Sequence, residues 1–376
     1  MMKLKYKKAY KPKNPALYYD IRKDIEAYPD AIIYIIFGGR STGKTYSALR
    51  YAIEQEKRYL FMKRTDDDVE NLVLDANAEK DKDKREKTDL NPFKSINRDF
   101  EKCNYTPLKM KKGLAAFYNQ IDDEHKELSG YCMSLNKVSK YKGADFSDVD
   151  FIIFDEFVPT KYQVVRKAEG MALLDLYMTV SRDREQRGRE AVKLFCLANA
   201  DDVSSPTTEA LQITDTIARM AMSGQSIIYD PERYILIHRL TDNKELMKAQ
   251  AQNKIYKTMA GTSWLDMSLS NQFAYNDFSD ISSKCRMKGM KARAAFMYER
   301  KLYYVYSTDE GYYYIGEQKT DQPVRIYDLK KESEQNAFYY DFVFEIRDMW
   351  LNGGVAFCKY TIKDLFLNFH KIFTIY

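Results

Sequence analysis

Cysteine and histidine are scarce in this chain of 376 residues. The five cysteines (Cys103, Cys132, Cys196, Cys285 and Cys358) are odd in number, scattered and never paired as C-x-x-C. With only His125, His238 and His370 beside them, they argue against a zinc centre and for a reducing compartment. No apolar run approaches the length that crosses a bilayer, so no membrane partner is expected. The early lysines Lys3, Lys5, Lys7, Lys8, Lys11 and Lys13 resemble the start of a secretory leader, but no apolar segment follows, and export is not expected. The guanine-specifying N-K-x-D pattern is missing, and there is no internal repeat.

What is present is the composition of a soluble globular protein, 45% hydrophobic and 31% charged, at a length that implies two or three domains. The net charge of +5 is mildly basic, which permits nucleic-acid contact without demonstrating it. The basic N-terminal arm is either a solvated tail or a binding arm. Tyrosine is abundant, with 31 residues, many of them in the last hundred positions, a density that suits strands and half-buried surfaces better than base stacking.

The run Gly38-Gly39-Arg40-Ser41-Thr42-Gly43-Lys44-Thr45 fits the phosphate-binding pattern G-x-x-x-x-G-K-[ST]. An apolar strand, Ala31 to Phe37, leads in, and a helix over Thr45 to Glu56 leads out. Glycines let successive N–H groups curl towards phosphate oxygens, and the helix N-terminus adds to that field. Lys44 is placed to hold the β- and γ-phosphates and the Thr45 hydroxyl to ligate Mg²⁺. The chain is expected to bind ATP.

Strands and helices alternate from Ala31 onward, which predicts an α/β domain with a parallel sheet. Lys57 to Lys63 reads as a strand. Asp75 to Thr88 is a charged surface helix or insertion. Gly113 to Ile121 and Ser129 to Leu135 flank a polar turn as a hairpin. Met171 to Val180 is a helix and Ala191 to Leu197 a strand. After Ala200 a helical piece over Glu209 to Met222 is expected, then from Asn276 a second domain of short antiparallel strands, closing with a helix over Ile362 to Phe373.

Phe151-Ile152-Ile153-Phe154-Asp155-Glu156 reads as a buried strand ending in two acids. Beside the phosphate loop, Asp155 would hold Mg²⁺ and Glu156 would polarise an attacking water, which favours hydrolysis over phosphate transfer to a small molecule. The arginines of Ser181-Arg182-Asp183-Arg184-Glu185-Gln186-Arg187 either reach a neighbour's γ-phosphate or form a solvated helix end with weak ion pairs. Asn199, at the tip of the next strand, is either a γ-phosphate sensor or a turn residue.

Taken in order, Gly-x-Arg-x-x-Gly-Lys-Thr, Phe-Asp-Glu-Phe, Thr-Val-Ser-Arg-Asp-Arg-Glu and Leu-Ala-Asn-Ala resemble the genome-packaging ATPase of phi29-like short-tailed bacteriophages. Met267-Ser268-Leu269-Ser270-Asn271-Gln272-Phe273 resembles a further segment of that family. The likeness spans roughly Ala31 to Phe273; the tail departs from the pattern.

The resemblance implies an additional-strand, conserved-glutamate P-loop ATPase domain over 1–202, a small linker region over 203–275, and a C-terminal domain over 276–376. That last domain would have an RNase H-like fold without nuclease activity, since Asp309, Asp321, Asp328 and Asp341 form no evident two-metal site. The resemblance also implies a homo-oligomeric ring, pentameric in the best-known motor. Such a ring docks on the procapsid portal in the host cytoplasm, with a structural packaging RNA, and drives double-stranded DNA inward. It makes Lys44 and Thr45 the phosphate and Mg²⁺ ligands, Asp155 a second Mg²⁺ contact, Glu156 the catalytic acid, and Arg182 an arginine finger acting in trans. Lys140 or Lys142 falls near a second cross-subunit cation, and Arg40 within the loop is a further family feature.

Two other outputs remain open for the same core. One is a different nucleic-acid-dependent ATPase such as a helicase or replication factor. The other is a scaffold that holds ATP without turnover, against which the intact Lys44, Thr45, Asp155 and Glu156 speak.

Overall fold

The computed structural model describes residues 4–8, 14–73, 90–141, 143–160, 163, 165–166, 168–240, 244–262, 273, 276–285 and 287–375. The charged insertion 75–88, Lys142 and the run 267–272 lie outside these residues, as do Lys3, Lys11 and Lys13 of the basic arm. The chain forms two compact units: Met1–Ile213 with Ser223–Tyr275, and Thr214–Met222 with Asn276–Tyr376. The stretch 203–275, expected as a linker, is divided between them.

The first unit is built on a nine-stranded sheet. Its strands are β1 (Ile33–Phe37), β2 (Arg58–Lys63), β3 (Tyr105–Lys111), β4 (Leu114–Gln120), β5 (Lys126–Ser134), β6 (Val149–Asp155), β7 (Lys193–Ala198), β8 (Ile227–Asp230) and β9 (Ile235–Arg239). The order across the sheet is β3-β4-β5-β2-β6-β7-β1-β9-β8. From β5 through β9 the neighbours run parallel, while β3-β4-β5 and β8-β9 are antiparallel at the two edges. All of Ile33–Phe37 is buried, as a central parallel strand covered on both faces requires.

One consequence of this order places the site. β7 lies between β1, which feeds the phosphate loop, and β6, which ends in the acids. The tips of three strands therefore converge, bringing Gly38, Asn199 and Asp155 to one end of the sheet.

Helices α1 (Ile21–Ala27), α2 (Lys44–Glu54), α3 (Asp66–Leu72), α4 (Lys94–Asp99) and α5 (Glu169–Ser181) complete the surroundings of the site. Asp20 caps α1, accepting from the Arg22 N–H, and Thr65 with Asp68 forms a capping box on α3. Gly170, in the first turn of α5, sits against the short helix Pro206–Ala210, and a Cβ at this position would stand 1.9 Å from the Pro206 carbonyl oxygen. Only glycine admits that approach.

The expected helix Glu209 to Met222 is two helices, Pro206–Ala210 and Thr214–Ser223. Gln212 between them adopts φ 53, the left-handed region, which breaks the helical path. The hairpin read around Asp122 to His125 is present, and β3 extends it to a meander. Sequence reading missed β3 because Pro107 interrupts it, which an edge strand tolerates.

The second unit holds a five-stranded sheet of β10 (Lys291–Tyr298), β11 (Lys301–Ser307), β12 (Tyr313–Gly316), β13 (Ile326–Asp328) and β14 (Val355–Phe357). Its order is β13-β10-β11-β12-β14, an antiparallel meander of β10, β11 and β12 with a parallel strand on each edge. Tyr303, Tyr306, Tyr313, Tyr314 and Tyr327 are buried, so the tyrosine density here is spent on packing. Helix Thr214–Ser223 belongs to this unit: the Asp215 carboxylate accepts from the N–H and hydroxyl of Thr361, at 2.9 and 2.8 Å, at the start of helix Tyr360–Leu367. The expected closing helix is likewise split, at Asn368, into Tyr360–Leu367 and Phe369–Ile372.

Candidate nucleotide site

The phosphate loop curls between β1 and α2. Ser41 and Gly43 both take positive φ, 57 and 92. Gly43 is the residue at the head of α2, and this conformation is cheap there only for glycine. The loop is fastened from outside: Tyr19 N–H donates to Thr42 O at 3.0 Å and Ile21 N–H to Ser47 Oγ at 2.8 Å. These bonds tie the segment before α1 to the first turns of α2.

Lys44 is buried. Its Nζ donates to the carbonyls of Gly38 and Gly39, each at 2.9 Å, and lies 3.5 Å from Asn199 Oδ1. Burial pushes its pKa down to about 8, with Asp155 and Asp201 opposing and Arg40 adding to the fall. The ammonium thus sits where a polyphosphate would favour the charged form and raise its pKa again.

Thr45 Oγ1 donates to Asp155 Oδ1 at 2.8 Å. A hydroxyl and a carboxylate from elements 110 residues apart stand side by side, and hard oxygen donors of this kind suit Mg²⁺. Glu156 follows with φ 59 and an exposed carboxylate. Lys44, Thr45, Asp155, Glu156 and Asn199 line a single cavity of about 260 Å³, in which Lys44 is the one cation among the lining residues.

The sequence matches the model of the podovirus DNA encapsidation protein (Gp16) family over residues 13–348. The chain belongs to this family. Among solved structures it is similar to the bacteriophage Phi-29 viral genome packaging motor assembly. The TM-score is 0.60 at 20% identity, covering 94% of this chain and 99% of that one. It is also similar to the Phi-28 gp11 DNA packaging motor, with a TM-score of 0.56 at 16% identity, covering 90% and 93% of the two chains. At these identities the likeness is one of fold. No curated protein is a significant match.

In this member of the encapsidation family, Arg182 stands away from the cavity lining, at the end of α5. Its φ is 41, and its half-exposed side chain donates to Thr179 O at 3.0 Å and Ala144 O at 2.7 Å. Lys140 is exposed in the short helical stretch Leu135–Tyr141, just before Ala144. Arg184 is buried and used internally. It pairs with Asp150 and donates to Val149 O at 2.6 Å and Glu190 O at 2.7 Å. Arg40 is exposed, and its carbonyl accepts from Gln250 at 3.3 Å.

Two basic residues beside these acids were not singled out from sequence. Lys63, the last residue of β2, places its Nζ 2.8 Å from Asp155 Oδ2 and 3.6 Å from Glu156 Oε2. Burial alone would lower its pKa, but Asp155 and then Glu156 outweigh it, and the net shift is upward. Arg64, next in sequence, is buried against Glu169. A basic pair ending a strand is an ordinary sequence, and only the sheet order, which sets β2 beside β6, brings it to the acids.

A second cavity, about 290 Å³, adjoins the first through Ser41, Gly43 and Tyr46. Its walls also carry Tyr6, Tyr18 and Arg98, with Tyr18 packed against Gly43.

Proposed function

We propose that this chain is the ATP-hydrolysing subunit of a ring motor that drives double-stranded viral DNA into a preformed procapsid. The observation that carries this reading is the convergence of Lys44, Thr45, Asp155 and Glu156 on one cavity, whose two acids also hold the ammonium of Lys63. Lys44 and the loop N–H groups bind the phosphates, and Thr45 and Asp155 hold Mg²⁺. When bound, the metal neutralises charge on the β- and γ-phosphate oxygens. Glu156 takes up the proton of the attacking water. The base and ribose go to the adjoining cavity, against Tyr18, whose ring is partly exposed there.

Lys63 is engaged by Asp155 and Glu156, so charge on the transferring group calls for a further cation, and Arg182 of a neighbouring subunit supplies it. The placement of Arg182 outside its own cavity supports a role in trans, as does its position beside the loop that carries Lys140. A finger of this type is worth on the order of a thousandfold or more in rate. Firing then depends on the adjacent subunit, which is what coordination around a ring requires. The β7 strand between β1 and β6 supports the additional-strand, conserved-glutamate class for the first unit. The meander of β10, β11 and β12 with flanking parallel strands supports an RNase H-like second unit, in which Asp309 is paired with Lys291 and Asp341 with Tyr327. Partners on this reading are double-stranded DNA, further copies of the chain, the procapsid portal and a structural RNA, in the host cytoplasm.

The test is ATPase activity, with double-stranded DNA and procapsids present, of Lys44→Ala and Arg182→Ala variants separately and mixed. Activity in the mixture well above the sum of the two is expected, because one variant still lends an arginine and the other keeps its own site. Absence of any gain in a mixture that sediments as assembled rings would overturn the trans assignment.

A further inference from the structure

The backbone of Glu156 is held by a side chain that neither the phosphate loop nor the acid pair accounts for. Arg64 leaves the end of β2 with its side chain only 4% exposed. A buried guanidinium is costly unless its donors are matched. Here Nε donates to both oxygens of Glu169 at 3.0 and 2.9 Å, and Nη1 to Gln163 Oε1 at 3.0 Å. Nη2 donates to two successive carbonyls, those of Glu156 at 3.1 Å and Phe157 at 3.0 Å.

Those carbonyls belong to the turn that matters most for the site. Glu156 adopts φ 59, a region that a non-glycine residue enters only at a cost. The turn sends the Glu156 carboxylate to the cavity while Phe157 buries completely, its ring 5.3 Å from that of Phe37. The guanidinium bridges both sides of this bend. Glu169, its anchor, begins α5, so the same group ties the bend to the helix that ends beside Arg182.

We propose that Arg64, anchored by Glu169, is a positioning residue for Glu156: it fixes the strained turn that aims the carboxylate at the attacking water. This rests on the role given to Glu156 under the proposed function. A lysine cannot replace it, because one ammonium cannot bridge two carbonyls and meet a carboxylate in a fork.

The experiment uses the full chain with double-stranded DNA and procapsids, comparing Arg64→Lys, Glu156→Gln and the double variant, with the Kd for ATP measured separately by a fluorescent analogue. Arg64→Lys is expected to lower kcat on the order of a hundredfold, as a misplaced catalytic group does, and to leave Kd within about twofold. The double variant is expected to be no slower than Glu156→Gln alone, because both substitutions remove one function. Losses that multiply, a change in Kd without one in kcat, or wild-type kinetics in Arg64→Lys would each overturn the positioning role. Hydrolysis that survives Glu156→Gln would instead overturn the proposed role of Glu156, and Arg64 would lose its target with it. Should Arg64→Lys fail to give a cooperative thermal transition, Gln163→Ala removes the partner of Nη1, together with the acceptor of the Thr160 N–H. A several-fold loss of kcat at constant Kd is then expected, and an unchanged kcat would overturn the proposal.

Discussion

Lys63 Nζ lies 2.8 Å from Asp155 Oδ2, on the same carboxylate whose other oxygen accepts from Thr45. Ammonium and metal ion therefore have claims on one group. Both side chains are 14% exposed, so neither charge is well served by water. Replacing Lys63 with Met leaves Asp155 without this partner and should lower unfolding stability by about 1–3 kcal/mol in chelator. Mg²⁺ with ADP should narrow that gap, because the metal supplies the missing counter-charge. Chemical denaturation with and without Mg·ADP measures both quantities.

Thr45→Ala should separate nucleotide binding from metal dependence. The loop N–H groups and Lys44 remain, so ATP should still bind. The hydroxyl that sits 2.8 Å from Asp155 is gone, so Mg²⁺ should add little to affinity, and kcat should fall on the order of a hundredfold. Equal gains from Mg²⁺ in the variant and the wild type would show that Thr45 is no ligand.

Nucleotide affinity should fall as pH rises above about 8, the value to which burial pushes the Lys44 pKa. Below that pH the free protein already carries the ammonium that the phosphates require. Above it, binding must take up a proton, and affinity drops by as much as about tenfold per pH unit until the pKa of the complex is reached. The stability of the free protein runs the other way. The unfolded chain keeps the Lys44 proton up to its ordinary 10.5, so this one group adds stability as pH climbs from about 8 towards 10.5. Titration calorimetry in two buffers of different ionisation enthalpy reads the proton uptake directly.

Binding to double-stranded DNA should be nearly indifferent to sequence and steep in salt. A motor that tracks phosphates releases counterions, and log K should fall linearly with log salt concentration. A chain of net charge +5 that makes several phosphate contacts should lose roughly a thousandfold or more in affinity between 50 and 200 mM salt. Fluorescence anisotropy with two unrelated duplexes at several salt concentrations gives both answers.

The phosphate loop and the acids were legible in the sequence because each is local. Glycines, a lysine and a hydroxyl in one loop, or two acids closing an apolar run, keep their meaning wherever the chain goes. Lys63 and Arg64 were not legible, since their partners lie 92 and 105 residues away and leave no trace beside them. The end of Arg184 as an internal staple was hidden for the same reason: Asp150 and the Val149 carbonyl open the central strand β6, 34 and 35 residues before it. Helix boundaries failed where one residue turned left-handed, as at Gln212, against an otherwise helical pattern. The strands of the second unit could be read as tyrosine-rich and antiparallel, but not which of them would pair in parallel at the edges.

Gly170 gives α5 a bearing. With no side chain between that turn and the Pro206 carbonyl, the base of the helix is pinned against its neighbour, while its far end is tied through Arg182 to the Ala144 carbonyl. About 20 Å of rod, 13 residues, separates the two fastenings. A side chain at Gly170 would tilt that rod, so one small change should reach Arg182 at one end and the Glu156 turn, through Glu169 and Arg64, at the other.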